Sequence, residues 1–182
     1  MVIRMNHQPP LYKLTTATAW VCIAGIVAIP VGLGALWANI ELFSDVLHTQ
    51  FRIPQGSQPF PLETRVLGWL CSMLPGALMM WGLYHLRYML LECRAGRYFS
   101  IPSVTHFRRF AWALLLYAAA MPVRSALTSV VLTWHNPPGE RALALSFSSN
   151  ELSALFTAVL FVIIAHILEE GRKIADENAG FL

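Results

Sequence analysis

The chain has 182 residues, of which 56% are hydrophobic and only 13% charged. A soluble domain carries about a quarter charged residues. This composition therefore excludes an ordinary water-covered surface and makes the bilayer the expected solvent. The net charge of +3 does not signal nucleic acid, because the basic residues stand at the ends of apolar runs, where they set membrane topology. Cys22, Cys71 and Cys93 form no CxxC and no metal-ligand spacing. They read as small apolar packing residues, and neither a disulfide, a metal nor a cofactor is expected.

Residues 1–13 are polar, carry Pro9-Pro10 and read as a cytoplasmic tail. The apolar run after Lys13 lacks a small-x-small cleavage site, so it is expected to stay as a first helix. That span covers residues 14–43, with Trp20 and Trp37 near its ends. Aromatic side chains there suit the two membrane interfaces, and roughly 20 apolar residues cross the hydrocarbon core. Residues 44–63 hold Pro54, Gly56, Pro59 and Pro61, a density of breakers that forbids a long helix.

The second span covers residues 64–92 and holds Gly68, Ser72 and Gly76 at successive i+4 spacing. Small residues so spaced make a groove for close helix packing. The groove would serve equally inside a monomer or between protomers, so an oligomer stays open. In the following loop Gly96 breaks the helix. Ser100 is placed to cap the next one, with Pro102 tolerated in its first turn. The third span runs over residues 103–134 and stops at His135-Asn-Pro-Pro-Gly. Residues 141–147 alternate, with Leu143, Leu145 and Phe147 on one face. They are expected to form a small extracytoplasmic β-hairpin with the 51–60 region. Ser149 or Asn150 is placed to cap the fourth span, residues 151–168, which continues as a solvated helix to about 178. The pairs Glu169/Lys173 and Arg172/Asp176 stand at i+4 and support that extension. The fold expected is all-α: one four-helix transmembrane domain over residues 14–182.

Charge orients it. One side gathers Arg4, Lys13 and Arg87, the four arginines Arg94, Arg97, Arg108 and Arg109, and Arg172 and Lys173. The other holds only Arg52, Arg65 and Arg141. The excess belongs in the cytoplasm, so both termini are expected there. Arg94, Arg97, Arg108 and Arg109 then act as a topology anchor whose nearest partners are anionic headgroups of the lipid bilayer, with no direct nucleic-acid binding.

Three segments in order carry a resemblance: Gly96 to Ser100 (GRYFS), Leu143 to Leu152 (LALSFSSNEL) and the terminal EEGRKIADENAGFL. Together they resemble the bacterial integral membrane proteins of the domain of unknown function 2975 family, over roughly residues 64–182. The resemblance implies a small four-helix protein of the bacterial inner membrane. It also implies a regulatory or stress-linked role through protein partners, either a cytoplasmic protein or a transcriptional regulator. It defines no catalytic residues.

Arg124 is the residue that stands out. It lies about ten residues below Trp134, roughly 15 Å from the outer end of its span, where an arginine costs on the order of 2.5–3.5 kcal/mol. Glu151, Glu41 or Asn39 near the outer ends of neighbouring helices would offset that. Pro30, Pro75 and Pro122 sit at a similar depth. Kinks at all three would splay the outer halves into a vestibule beside Arg124. The alternative function is therefore a small transport or lipid- and anion-binding protein with a pocket near Arg124. His85, His106 and His166 show no HxxxH spacing and read as interfacial structural residues. The chain has no Walker loop, GxSxG, HExxH or dinucleotide fingerprint, and no enzyme is expected.

Overall fold

Four long α-helices make up nearly all of what the computed structural model describes, which is residues 9–43, 60–134 and 148–179. They are α1 (Pro9–Ala38), α2 (Leu62–Arg94), α3 (Ile101–Thr133) and α4 (Ser149–Ala179), with a single 3-10 turn, Ile40–Phe43, after α1. There is no strand among the described residues. The expected hairpin falls on segments 51–59 and 141–147, which lie outside them. All four helices are long and apolar enough to cross a membrane.

The helix ends follow local chemistry. α1 begins at Pro9, inside the stretch expected to be a tail, because a proline in the first turn lacks only an N–H that would be unpaired anyway. Beyond α2 the chain turns at Ala95, whose amide reaches the carbonyls of Leu91 and Glu92 at 3.2 and 3.0 Å. Gly96 then adopts a φ of 76°, the left-handed region open to glycine without a Cβ clash. The Arg97 guanidinium holds Glu92 with two bonds of 2.8 and 3.0 Å, and this carboxylate pushes the Arg97 pKa up. The Ser100 side chain caps α3 by accepting the Ser103 amide at 3.3 Å. α4 starts slightly earlier than the sequence suggests. Ser148, not Ser149 or Asn150, is its cap: the Glu151 amide donates to Ser148 Oγ, and the Ser148 amide donates to the Glu151 carboxylate at 2.9 Å. This reciprocal pair is a capping box.

Packing is inside-out relative to a soluble protein. The buried faces of α2 and α3 are mostly small: Thr64, Gly68, Ser72 and Gly76 on one, Ser103, Ala111, Ala118, Ser125 and Ser129 on the other. Large apolar side chains such as Leu70, Leu74, Leu116, Phe156 and Ile167 point outward. Small residues let helix backbones approach, and large ones meet lipid. Each helix packs chiefly on its neighbour in the chain: α1 on α2, α2 on α3, α3 on α4. No contact of similar extent joins α1 to α3 or α1 to α4. The result is an open row of helices, not a closed ring.

Specific features hold each seam. Between α1 and α2, the Trp37 ring lies over Gly68 and its Nε1 donates to Ser72 Oγ at 3.0 Å. Trp37, expected near a membrane interface, is only 4% exposed, whereas Trp20 is 67% exposed. Trp37, Ile40, Phe60 and Leu132 form the apolar core at that end, with Trp69 against it. Between α2 and α3, Gly82 stands so close to Ala113 that a Cβ there would lie 3.2 Å from the alanine methyl. Between α3 and α4, Phe161 meets Phe107 and Phe110 edge-on, with centroids 6.2 and 5.9 Å away. Ala158 and Ala165 are buried on the same stripe.

Candidate functional site

A cavity of about 470 Å³ opens in the angle that α1, α2 and α3 leave because α1 and α3 do not close on each other. Ile29 and Leu33 of α1 form one wall. Ser72, Pro75, Gly76 and Met79 of α2 form the floor. Tyr117, Met121 and Arg124 of α3 form the other wall. The small residues of α2 make this space: the strip that lets Trp37 settle on Gly68 leaves no bulk higher up at Gly76. Pro75 lines the cavity. Pro30 and Pro122 stand next to its lining residues Ile29 and Met121, and the Pro30 carbonyl accepts the Trp69 indole N–H at 3.4 Å. The volume lies in the range of small-ligand pockets.

Arg124 is the one charged side chain on this lining. Its Nε is buried and has no hydrogen-bond partner among the described residues. Buried polar atoms are nearly always paired, so this nitrogen, like the hydroxyls of Thr64 and Thr128, calls for a partner beyond the described residues, such as a water or a bound group. The partners expected from sequence are engaged elsewhere. Glu41 forms an ion pair with Arg65, which also takes the carbonyls of Ala38 and Phe60 and so ties the end of α1 to the start of α2. Glu151 is held in the capping box of α4. The Asn39 amide donates to the Ala35 carbonyl at 2.9 Å. The physical reason is proximity: each carboxylate finds a donor within its own helix end or the adjoining one, at lower entropic cost than reaching the cavity.

The strip of Gly68, Ser72 and Gly76 faces α1 within the same chain. A Cβ at Gly76 would stand 3.2 Å from Ile29 and 3.3 Å from Leu33. At the opposite end of the helices, the four anchor arginines have different surroundings. Arg97 is paired with Glu92, and Arg108 takes both oxygens of Glu169 at 2.7 and 2.8 Å, fastening α4 to α3. Arg94 lines a small cleft between α1 and α2, while Arg109 is exposed. On α4, Lys173 pairs with Glu170, and Arg172 pairs with Asp176.

One constellation has no signal in the spacing of either helix. His85 of α2 and His106 of α3 meet with their Nδ1 atoms 2.9 Å apart. Tyr88 stacks on His106, and Trp81 and Tyr84 meet the His85 ring at their edges. His85 is 4% exposed. Such a pair shares one N–H between two rings, one donating and the other accepting. Among the described residues no group of three or more His, Cys, Asp or Glu side chains gathers in a metal-like arrangement.

No curated protein and no solved structure matches the chain. A family model described as a protein of unknown function, DUF2975, matches residues 6–180 and so takes in α1 as well as the segments that carry the resemblance. The chain belongs to the DUF2975 family.

Proposed function

We propose that this is a non-enzymatic membrane protein that binds an anionic amphiphile in the Arg124 cavity. The observation that carries this reading is the buried, unpartnered Nε of Arg124 on an otherwise neutral, largely apolar lining. An arginine in such surroundings favours an anion, because a charge-assisted bond recovers the desolvation that burial costs. Leu33, Met79 and Met121 offer an apolar bed for a chain, and methionine adapts readily to irregular shapes. The opening faces the side that α1 and α3 leave unclosed, which gives a ligand a lateral route from lipid.

The setting proposed is the bacterial inner membrane with both termini in the cytoplasm, supported by the excess of Lys and Arg at the end that carries Arg87, Arg94, Arg97 and Arg108. A regulatory role through a protein partner fits this activity, since a ligand bridging α1 and α3 would change how the open row presents itself.

The test uses two ligands with the same chain and different heads: palmitate and hexadecanol. Purified protein in mild detergent should be stabilised against heating by palmitate and much less by hexadecanol, and Arg124→Gln should abolish the difference. Equal stabilisation by the two ligands, or an unchanged palmitate effect in Arg124→Gln, would refute the reading.

A further inference from the structure

Arg124 shares the α3 wall of the large cavity with a second polar side chain, Tyr117, and Met121 lies between them. Seven residues separate Tyr117 from Arg124. That is two helical turns, so the two share a face about 10.5 Å apart along the axis. Both side chains lean toward the N-terminus of their helix, so their polar ends keep about that spacing.

The Tyr117 hydroxyl makes no hydrogen bond among the described residues. Tyrosine hydroxyls away from water usually find a partner, and one inside a membrane span has no bulk water to turn to. The pairings of His85 with His106 and of Gly82 with Ala113 set the register of α2 against α3. They bring Pro75 and Gly76 level with Tyr117, and neither has a polar side chain. The same register puts Ser72 nearer to Arg124. Ser72 Oγ accepts the Trp37 indole N–H at 3.0 Å, and a hydroxyl so engaged can still donate its own proton. The lining is therefore polar at two points: a head position at Arg124 and Ser72, and a second position at Tyr117.

We infer, building on the anionic-amphiphile reading above, that the cavity selects a fatty acid hydroxylated in mid-chain. The carboxylate sits at Arg124 and Ser72, and the chain hydroxyl exchanges a hydrogen bond with the Tyr117 phenol, which can donate or accept. Carbon–carbon bonds of about 1.5 Å laid in zigzag cover ~10 Å in about eight bonds. That spacing puts the hydroxyl near the ninth carbon. Met121 packs on the methylenes between the two polar points. Carbons beyond Tyr117 leave toward lipid through the gap between α1 and α3. A plain chain leaves the phenol unpaired, and a hydroxyl beside the carboxylate falls short of it.

Competition against a fluorescent fatty acid, with the full chain in mild detergent, compares three ligands of one chain length: stearate, 9-hydroxystearate and 2-hydroxystearate. The wild type should bind 9-hydroxystearate about fivefold more tightly than stearate, the factor that one hydrogen bond supplies. It should show no such preference for 2-hydroxystearate. Tyr117→Phe should bring the ratio between 9-hydroxystearate and stearate to about one, and its saturable binding of stearate shows that it folds. Arg124→Gln should weaken all three ligands. Equal binding of stearate and 9-hydroxystearate by the wild type overturns the inference and leaves the anionic-amphiphile reading in place. So does a preference that survives in Tyr117→Phe, or an equal preference for 2-hydroxystearate. Stearate binding that Arg124→Gln does not weaken overturns the anionic-amphiphile reading, and this inference with it.

Discussion

Replacing Gly68 with alanine is the most demanding test of the α1–α2 seam. A Cβ at this position would overlap the six-membered ring of Trp37 at Cη2, Cζ3 and Cζ2. The ring has nowhere to retreat: it is buried, and its Nε1 is fixed on Ser72. Either the helices separate, at an overpacking cost of about 1–3 kcal/mol, or the indole rotates and leaves a buried N–H unpaired, at a similar cost of about 1–3 kcal/mol. The gain in helix propensity from Gly to Ala returns at most about 1 kcal/mol. If both costs are partly incurred, the net loss is about 3 kcal/mol. Unfolding by denaturing detergent, followed by circular dichroism in mixed micelles, measures it. Gly171→Ala is the matched control, because nothing lies within 4 Å of a Cβ there, and it should be neutral or slightly stabilising. Trp37→Phe should relieve much of the clash, so the double variant should be more stable than the two single changes predict by addition. A Gly68→Ala variant as stable as Gly171→Ala, or a cycle with no coupling, would mean that Trp37 does not pack as described.

Other expectations follow from single contacts. His106→Ala leaves His85 buried with an unpaired ring nitrogen and should cost about 1–3 kcal/mol; His106→Gln, which can still hydrogen-bond, should recover part of this in the same assay. Arg108→Gln should loosen the end of α4 by about 0.5–1 kcal/mol, the range for a partly exposed pair, read as faster backbone amide exchange over residues 165–177. Exchanging the two charges, Arg108→Glu with Glu169→Arg, should slow that exchange again. Ser148→Ala removes one half of the capping box and should cost about 1 kcal/mol, with faster exchange confined to the first turn of α4.

Much of this architecture is legible in the sequence because membrane helices announce themselves by length and apolarity, and their ends by capping chemistry. Gly96, Ser100 and Pro102 play the parts their types suggest. Ser148-Ser149-Asn150-Glu151 also carries its start signal openly, as the S-x-x-E pattern. That pattern sets the cap of α4 at Ser148 and engages Glu151 in it. What hydropathy does not supply is which helices meet only weakly, and the cavity beside Arg124 depends on that. The destinations of Glu41 and Glu151 are likewise matters of close geometry, where several donors stand at comparable sequence distance. The His85–His106 pair is intermediate. Within either helix it has no pattern. Folded about the loop that contains Gly96, however, α2 and α3 run antiparallel, and residues nearly equidistant from that loop meet: His85 with His106, and Gly82 with Ala113.

The order of packing also bears on how the protein is made. Each helix leans mainly on the one synthesised just before it. α1 and α2 can therefore settle into their final seam, with Trp37 on Gly68, before α3 leaves the ribosome. α3 can dock on α2 before α4 exists. No helix has to wait for a distant partner, and no early surface must be reopened to admit a later one. Local pairings of this kind form quickly and leave little opportunity for wrong ones. A ribosome-bound chain truncated after α2 should already protect Trp37 from quenching in large part, with the remainder added when Leu132 of α3 joins its core.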